Sequence, residues 1–185
     1  KDLMEALERV VDQGLVKIPV FDGGKGLEGM TWTETCRMWK ERYPVVQPKH
    51  LVRDDTKAAN VYALVKELSS RLPEGRITVV GNGSACVAGG HAYIIKKKQR
   101  FITNSAIASM GYDLPAAIGA SMAEPGEDII LLTGDGSIQM NLQELQTIIH
   151  HQLPIKIFLI NNGGYHSIRQ SQKNFFGEPL VGVGV

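Results

Sequence analysis

Two oxygen-bearing side chains stand at the ends of one strand-helix-strand unit in the sequence. Asp135 lies between two glycines directly after the apolar run 128–133, and Asn162 follows the apolar run 155–160. A carboxylate and an amide oxygen beside glycine-rich backbone make a hard-oxygen site of low charge, which suits Mg²⁺ that also takes phosphate oxygens and water. Calcium usually recruits more carboxylates, and zinc prefers His or Cys. Each motif alone is typical of a tight turn or a strand-end cap, so the spacing of the pair carries the information.

The segment between the two apolar runs predicts a helix that returns the chain along the sheet. Asn141 followed by Glu144 has the pattern of a helix start. The expected buried stripe consists of Leu142, Leu145, Ile148 and Ile149. A helix of about eleven residues rises about 16 Å and a strand of six spans about 20 Å, so both strands should end at one edge of the sheet. Because parallel neighbours lie about 4.8 Å apart, Asp135 and Asn162 can converge on one cation.

The rest of the chain continues this alternation of apolar runs and helical patterns. Helices are predicted over 32–43, 61–72, 85–93 and 113–123, and strands over 76–80, 100–103, 128–133 and 155–160. Near-continuous Ile, Leu, Val and Phe strands are typical of a parallel sheet covered on both faces. We therefore expect an α/β fold with a doubly wound, mostly parallel sheet, incomplete at the C-terminus.

The start of the chain differs from the rest in pattern. A capped amphipathic helix is predicted from Asp2, and the glycine-rich stretch after it lacks periodicity. We expect residues 1–31 to be the end of a preceding domain and a linker, and residues 32–185 to be the main domain, truncated.

Composition limits the classes of partner. Of the 185 residues, 43% are hydrophobic, and 20 Lys and Arg balance 19 Asp and Glu, so no broad surface for nucleic acid or an anionic membrane is expected. No apolar stretch approaches the roughly 20 residues that span a bilayer, and no signal-peptide pattern opens the chain, so a cytoplasmic location is expected. Cys36 and Cys86 suggest neither a metal cluster nor a disulfide framework, and we expect both to be buried.

The chain resembles the thiamine-diphosphate-dependent enzymes, whose signature is GDG followed one helix and one strand later by NN. Here 24 residues separate Gly136 from Asn161. The likeness is to the diphosphate-binding domain of the acetolactate (acetohydroxyacid) synthase group, and it extends from about Trp32 to Phe176. Two further blocks match in the same order: ITNSAIASMGYDLPAAIGA at 102–120 and NNGGYHSIRQSQ at 161–172.

The resemblance implies specific roles at the predicted cation site and beside it. Asp135 and Asn162 would ligate Mg²⁺ through their side chains, and Gly164 through its backbone carbonyl. Met110 matches the bulky apolar residue that bends thiamine diphosphate and brings its 4′-imino group to the reacting carbon. The backbone around Ala108 and Met110 would grip the aminopyrimidine ring. Ordinary core packing is the alternative for Met110.

Glycine-rich backbone is expected on both sides of the diphosphate. On one side, Gly134 and Gly136 allow close approach, and the N–H groups of Gly136 and Ser137 can face a phosphate. On the other side, Gly83 and Ser84 match a family loop and could donate hydrogen bonds. Relatives often carry Gln and His where this chain has Ser84 and Ala85.

Two positions depart from the acetolactate synthase pattern. The family typically carries Trp where this chain has Ser171, and a nearby family Met is replaced by Ser167. Loss of an aromatic wall changes the size and polarity of an acceptor pocket. The departures put acetolactate synthesis in doubt and suit a sugar or another polar carbonyl acceptor. His166 is expected to line this pocket as an acid or base, with a plain surface histidine as the alternative.

The resemblance implies an enzyme that decarboxylates a 2-keto acid and transfers the acyl carbanion to an acceptor carbonyl, using thiamine diphosphate and Mg²⁺. FAD in the full-length protein is not readable from these residues. In the family, a glutamate that activates the pyrimidine comes from another domain, usually of a neighbouring subunit, so a homodimer or tetramer with sites between chains is expected.

Two other functions stay open at this point. One is a non-catalytic nucleotide or dinucleotide module, because GNGSAC at 81–86 begins like G-x-G-x-x-G, although Cys86 stands at the third glycine. The other is a relative that keeps the fold without turnover.

Overall fold

The computed structural model describes residues 29–52 and 58–183. The chain divides into two compact units between Pro44 and Val45. The described part of the first unit contains helix α1 (Trp32–Arg42), which matches the predicted helix. A capping box starts it: the Glu34 N–H donates to the Thr31 hydroxyl at 3.3 Å, and the Thr31 N–H donates to the Glu34 carboxylate at 2.7 Å. The predicted helix from Asp2 lies outside the described residues.

The second unit carries the alternating elements. Its described helices are α2 (Val61–Arg71), α3 (Ser84–Ala92), α4 (Asp113–Ala123), α5 (Asp135–Ile138), α6 (Glu144–His150) and α7 (His166–Phe175). Its strands are β1 (Ile77–Val80), β2 (Arg100–Thr103), β3 (Ile129–Gly134) and β4 (Ile155–Ile160). Short 3₁₀ turns occupy Pro48–His50 and Gln139–Asn141. None of the helices in this described part is long and apolar enough to cross a membrane.

The four strands form one parallel sheet in the order β2-β1-β3-β4. The register pairs Val80 with both Thr103 and Leu132, and Gly134 with Ile160. All four strands therefore end at the same edge, which is the edge at which open α/β sheets bind ligands. The predicted doubly wound, mostly parallel sheet is confirmed.

Successive residues of a strand point to opposite faces of the sheet, so these apolar strands present side chains for burial on both faces. Helices cover both faces accordingly. One core packs α4 and α6 against the sheet, and its buried strand residues are Ile77, Val79, Ile129 and Leu131. The other core packs α2 and α3 against the opposite face, where Val80 and Leu132 are buried. Full burial of a Leu or Ile side chain contributes about 1.5 to 3 kcal/mol, so the central strands β1 and β3 anchor the domain.

Small residues let the covering helices approach the sheet closely. Ala85, Ala88 and Ala92 are buried on the inner face of α3. A Cβ added at Gly89, in the same helix, would lie 3.2 Å from the Phe101 ring of β2. A larger residue there would push α3 away from the strands, and with it Ser84 at the helix start.

The helix predicted between β3 and β4 is wrong in its start and its length. The chain turns into α5 directly after β3, passes through a 3₁₀ turn, and then forms α6 with seven residues. Asn141 does not cap α6, because Gln143 occupies the N-cap position. The Asn141 amide oxygen accepts from the Gln143 side chain at 3.4 Å, and its amide nitrogen donates to the Gly111 carbonyl at 2.6 Å. Leu142 and Ile149, predicted to be buried, are 49% and 68% exposed. The prediction that Cys36 is buried is also wrong, since its side chain is exposed.

Candidate diphosphate and metal site

A cavity of about 210 Å³ lies at the carboxyl edge of the sheet. All eleven residues predicted from the sequence line it: Gly83, Ser84, Ala108, Met110, Gly134, Asp135, Gly136, Ser137, Asn162, Gly164 and His166. Ser167, which the resemblance placed at the acceptor pocket, also lines it, as do three residues that were not predicted: Asn82, Tyr165 and Ile168. The loops after all four strands thus contribute to one cavity.

The Asp135 carboxylate organises the backbone on both sides of the β3–β4 pair. One oxygen accepts from the Gly136 N–H at 3.0 Å, and the other accepts from the Gly164 N–H at 2.6 Å. Gly163 and Gly164 both have φ near +78°, in the left-handed region that favours glycine. The two glycines after the paired asparagines therefore let the chain turn back so that an N–H reaches the acid.

The Asn162 side chain connects the loop after β4 to the loop after β1. Its amide nitrogen donates to the Ser84 hydroxyl at 3.1 Å. This orientation leaves the amide oxygen for another partner, and it leaves the proton of the Ser84 hydroxyl available for donation. Both groups line the cavity.

These donors fit a magnesium ion that is also held by phosphate oxygens. No group of three or more His, Cys, Asp or Glu side chains able to hold a metal occurs among residues 29–52 and 58–183. Asp135, the Asn162 amide oxygen and a glycine carbonyl offer one charge and three hard oxygens, which is the sparse set that Mg²⁺ accepts when substrate phosphates and water complete its octahedron.

The loop after β2 presents Ala108 and Met110 to the cavity. Ala108 has φ +57°, an uncommon conformation for a residue with a side chain, and its carbonyl accepts from the Asn82 amide at 2.6 Å. Such strain persists where surrounding contacts hold it, and it occurs often at ligand sites. Met110 is 39% exposed, so its side chain is not part of the closed core.

Tyr165 and His166 form the wall that follows the β4 loop. A Cβ at Gly136 would lie 3.1 Å from two Tyr165 ring carbons, so Gly136 permits the close approach of this ring. His166 is the first residue of α7 and is exposed. Sequence reasoning missed Tyr165 because its position depends on a contact with Gly136, which lies 29 residues earlier in the sequence. The signal for that contact was the glycine after Asp135, far from Tyr165 itself.

The two serines that depart from the family pattern differ in position. Ser167 lines the cavity. Ser171 lies one turn further along α7, is exposed, and donates its hydroxyl to the Ser167 carbonyl at 3.1 Å. Of the two departures, Ser167 is therefore the one that changes the cavity wall.

A buried carboxylate beneath the site was also missed by sequence reasoning. Asp113, at the start of α4, is fully buried and accepts from the Leu114 N–H at 2.9 Å and from the Thr133 hydroxyl. Thr133 precedes Gly134 in β3. The available signal in the sequence is an acidic residue at the start of an otherwise apolar predicted helix.

A parallel α/β sheet with oxygen ligands and glycine-rich loops at its carboxyl edge defines a class of domain that binds phosphorylated cofactors. Within this class, residues 81–184 match the family model "Thiamine pyrophosphate enzyme, C-terminal TPP binding domain". Thiamine pyrophosphate, or TPP, is thiamine diphosphate. The chain belongs to this family.

Similar proteins narrow the group further. The chain is 35% identical to the acetolactate synthase large subunit of Pyropia yezoensis over 149 residues, which are 80% of this chain and 24% of that protein. It is 37% identical to the Porphyra purpurea large subunit over 149 residues, again 80% and 24%. It is 35% identical to the isozyme 2 large subunit of Escherichia coli (strain K12) over 142 residues, 76% and 26%.

These matches confirm the predicted resemblance to acetolactate-synthase-like, thiamine-diphosphate-dependent enzymes. The chain spans about a quarter of the length of the curated relatives it matches. A dinucleotide-binding module is not favoured, because the family match includes the GNGSAC loop that had suggested it.

Proposed function

We propose that this domain binds thiamine diphosphate through Mg²⁺, in an enzyme that decarboxylates a 2-keto acid and transfers the acyl carbanion to an acceptor carbonyl. One observation carries the proposal: Asp135 and Asn162 follow neighbouring parallel strands and line the same cavity. The proposed domain covers residues 32–185, with 1–31 as the end of a preceding domain and a linker.

Different groups of this chain would bind the Mg²⁺ ion and the diphosphate. Asp135, Asn162 and the Gly164 carbonyl would hold Mg²⁺. Backbone and hydroxyl donors of Ser84 and Ser137, in the loops on either side, would bind diphosphate oxygens and orient the cofactor. When bound, thiamine diphosphate supplies the carbanion-stabilising chemistry of the reaction.

Ala108 and Met110 would hold the organic part of the cofactor. The Ala108 backbone is fixed by the Asn82 amide, and the exposed part of Met110 offers an apolar support within the cavity. Cofactor sites usually measure about 300 to 1,000 Å³, so a cavity of about 210 Å³ suits part of such a ligand. This size supports the proposal that a second domain, in a homodimer or tetramer, closes the site and supplies the activating glutamate.

The acceptor is proposed to be a polar carbonyl compound, such as a sugar aldehyde or ketone. Ser167 at the cavity wall supports this, and His166 beside it is positioned to exchange a proton with the acceptor oxygen. In the full-length enzyme, Ser167→Met should shift the ratio of kcat/KM values toward apolar acceptors by about 10-fold or more. Ser171→Trp is the comparison variant. If it shifts the ratio of kcat/KM values more than Ser167→Met does, the proposal that Ser167 forms the acceptor wall is contradicted.

Calorimetry on the full-length protein tests the cofactor site. Thiamine diphosphate should bind only with Mg²⁺, and Asp135→Asn should abolish that binding. Asp128→Asn is a matched control, because Asp128 precedes β3 at the opposite end of the strand and pairs with Lys156. Binding without metal, or intact binding in Asp135→Asn, would refute the site. Tight cofactor binding without decarboxylation of any 2-keto acid by the intact oligomer would instead support a relative without turnover.

A further inference from the structure

Arg169 reaches back from α7 to the loop that follows β4. Its Nη2 donates to the Asn162 carbonyl at 2.9 Å, and its Nη1 donates to the Gly163 carbonyl. Its own backbone N–H donates to the Tyr165 carbonyl at 2.9 Å, which fixes the first turn of α7. The guanidinium is therefore a two-pronged donor to consecutive carbonyls, a geometry that its rigid planar fork favours.

The backbone carbonyls of residues 162–164 follow one another at this turn and have different partners. Those of Asn162 and Gly163 accept from Arg169. The Gly164 N–H is held by Asp135 at 2.6 Å, and no donor among the described residues reaches the Gly164 carbonyl. Two adjacent glycines in the left-handed region have many alternative conformations, and ordering each costs about 1 to 2 kcal/mol of backbone entropy. Arg169 supplies contacts that oppose this freedom.

We propose that Arg169 is a positioning residue for the cation site. By engaging the carbonyls of Asn162 and Gly163, it leaves the Gly164 carbonyl and the Asn162 amide oxygen as the groups presented to the cation. The proposal rests on the proposed function, in which that cation is the Mg²⁺ that anchors the cofactor diphosphate.

Electrostatics alone predicts the opposite effect on metal affinity. A guanidinium beside a divalent cation repels it, so a charge-only role means that removing Arg169 tightens Mg²⁺ binding. If Arg169 instead positions the loop, removing it should weaken Mg²⁺ binding, because groups that orient metal ligands typically contribute 10- to 100-fold in metal affinity. The sign of the change therefore separates the two effects.

The test measures Mg²⁺ binding to the full-length protein at saturating thiamine diphosphate, by calorimetry, for wild type, Arg169→Met and Arg169→Lys. Arg169→Met should raise the Mg²⁺ dissociation constant about 10- to 100-fold, and Arg169→Lys should give a smaller increase, since one ammonium cannot bridge both carbonyls in the fork geometry. Lys173→Met removes a positive charge one turn further along α7, where the side chain is exposed, and should leave the constant unchanged.

Kinetics and stability provide readouts that a general folding defect would not reproduce. In Arg169→Met, kcat should recover at high Mg²⁺ while the Mg²⁺ concentration for half activation rises, and metal-free thermal unfolding should show only the loss expected for two hydrogen bonds to the loop. Unchanged or tighter Mg²⁺ binding in Arg169→Met overturns the proposal. If that variant does not fold, an unchanged constant in Arg169→Lys overturns it. Absence of Mg²⁺-dependent cofactor binding in the wild type refutes the proposed function instead.

Discussion

Replacing Gly81 with Ala tests how tightly the buried Asp113 carboxylate is packed beneath the site. Gly81 directly follows β1, and its N–H donates to the Leu132 carbonyl at 2.8 Å. An added Cβ would lie 2.0 Å from Asp113 Oδ2 and 2.8 Å from Cγ. Gly81 is not among the residues with positive φ, so alanine meets no backbone strain there. The cost should come from the carboxylate that the new methyl group meets.

The size of that cost follows from the contacts of Asp113. Ordinary contacts of a Cβ begin at 3.4 Å, so the carboxylate must move by more than 1 Å from a fully buried position. Overpacking of this kind costs about 1 to 3 kcal/mol, and losing a buried hydrogen bond, such as that from Thr133, costs about 1 to 3 kcal/mol more. We therefore expect Gly81→Ala to destabilise the folded state by about 2 to 6 kcal/mol.

Urea unfolding of the full-length protein without metal or cofactor measures this change. Gly134→Ala is the matched control, because Gly134 has φ −93° and a Cβ there meets nothing within 4 Å. It should be neutral or stabilising by up to about 1 kcal/mol. A double-mutant cycle completes the test: in an Asp113→Ala background, the cost of Gly81→Ala should fall by about 1 to 3 kcal/mol. The same cost in both backgrounds would show that the carboxylate is not the obstacle.

Two further predictions concern other parts of the fold. The hydrogen bond from Lys156, at 2.5 Å, is the main cause that lowers the pKa of Asp128 below 3.8. The resulting stabilisation is present above pH 3.8 and is lost as the pH falls through the lowered pKa, so wild type should lose its advantage over Asp128→Asn in thermal unfolding as the pH falls below 3.8; a difference independent of pH would contradict this. The Asn60 side chain accepts from two N–H groups, at 3.0 and 3.2 Å, at the start of α2. Asn60→Ala should therefore lower the free energy of unfolding by about 1 kcal/mol, whereas Asn60→Asp should lose little in the same urea assay; an equal loss in both variants would exclude capping as the cause.

The sheet could be predicted from the sequence because its strands are short, mainly apolar runs, and the central strands β1 and β3 are almost entirely buried. The apolar runs 100–103 and 155–160 coincide with β2 and β4, and the run ending in Thr133 differs from β3 by one residue at each end. In a parallel sheet, strand direction and crossover connections fix which strand ends share an edge. Residue type and strand position were therefore enough to place Asp135 and Asn162 at one cavity.

Contacts between distant residues were not predictable in the same way. Asn141 has the sequence pattern of a helix cap, yet it lies in the 3₁₀ turn before α6, and its amide nitrogen donates to the Gly111 carbonyl, 30 residues away. Asp113 holds Thr133 across 20 residues and Arg169 holds the β4 loop from the following helix. A local pattern cannot distinguish a cap or a surface charge from a tertiary hydrogen bond, because both use the same side chains.

Hydrogen bonds between the loops that follow the four strands hold the cavity-lining residues of this chain in place. Donors and acceptors connect the loops after β1 and β2, then β2 and β3, then β3 and β4, and finally β4 and β1. The four links are Asn82 to Ala108, Gly111 to Ser137, Gly164 to Asp135 and Asn162 to Ser84. Because these links form a closed ring, each loop is held from two sides, and losing one link still leaves every loop attached at one neighbour. A site held in this way has less backbone to order when a ligand binds, so more of the interaction free energy remains as affinity.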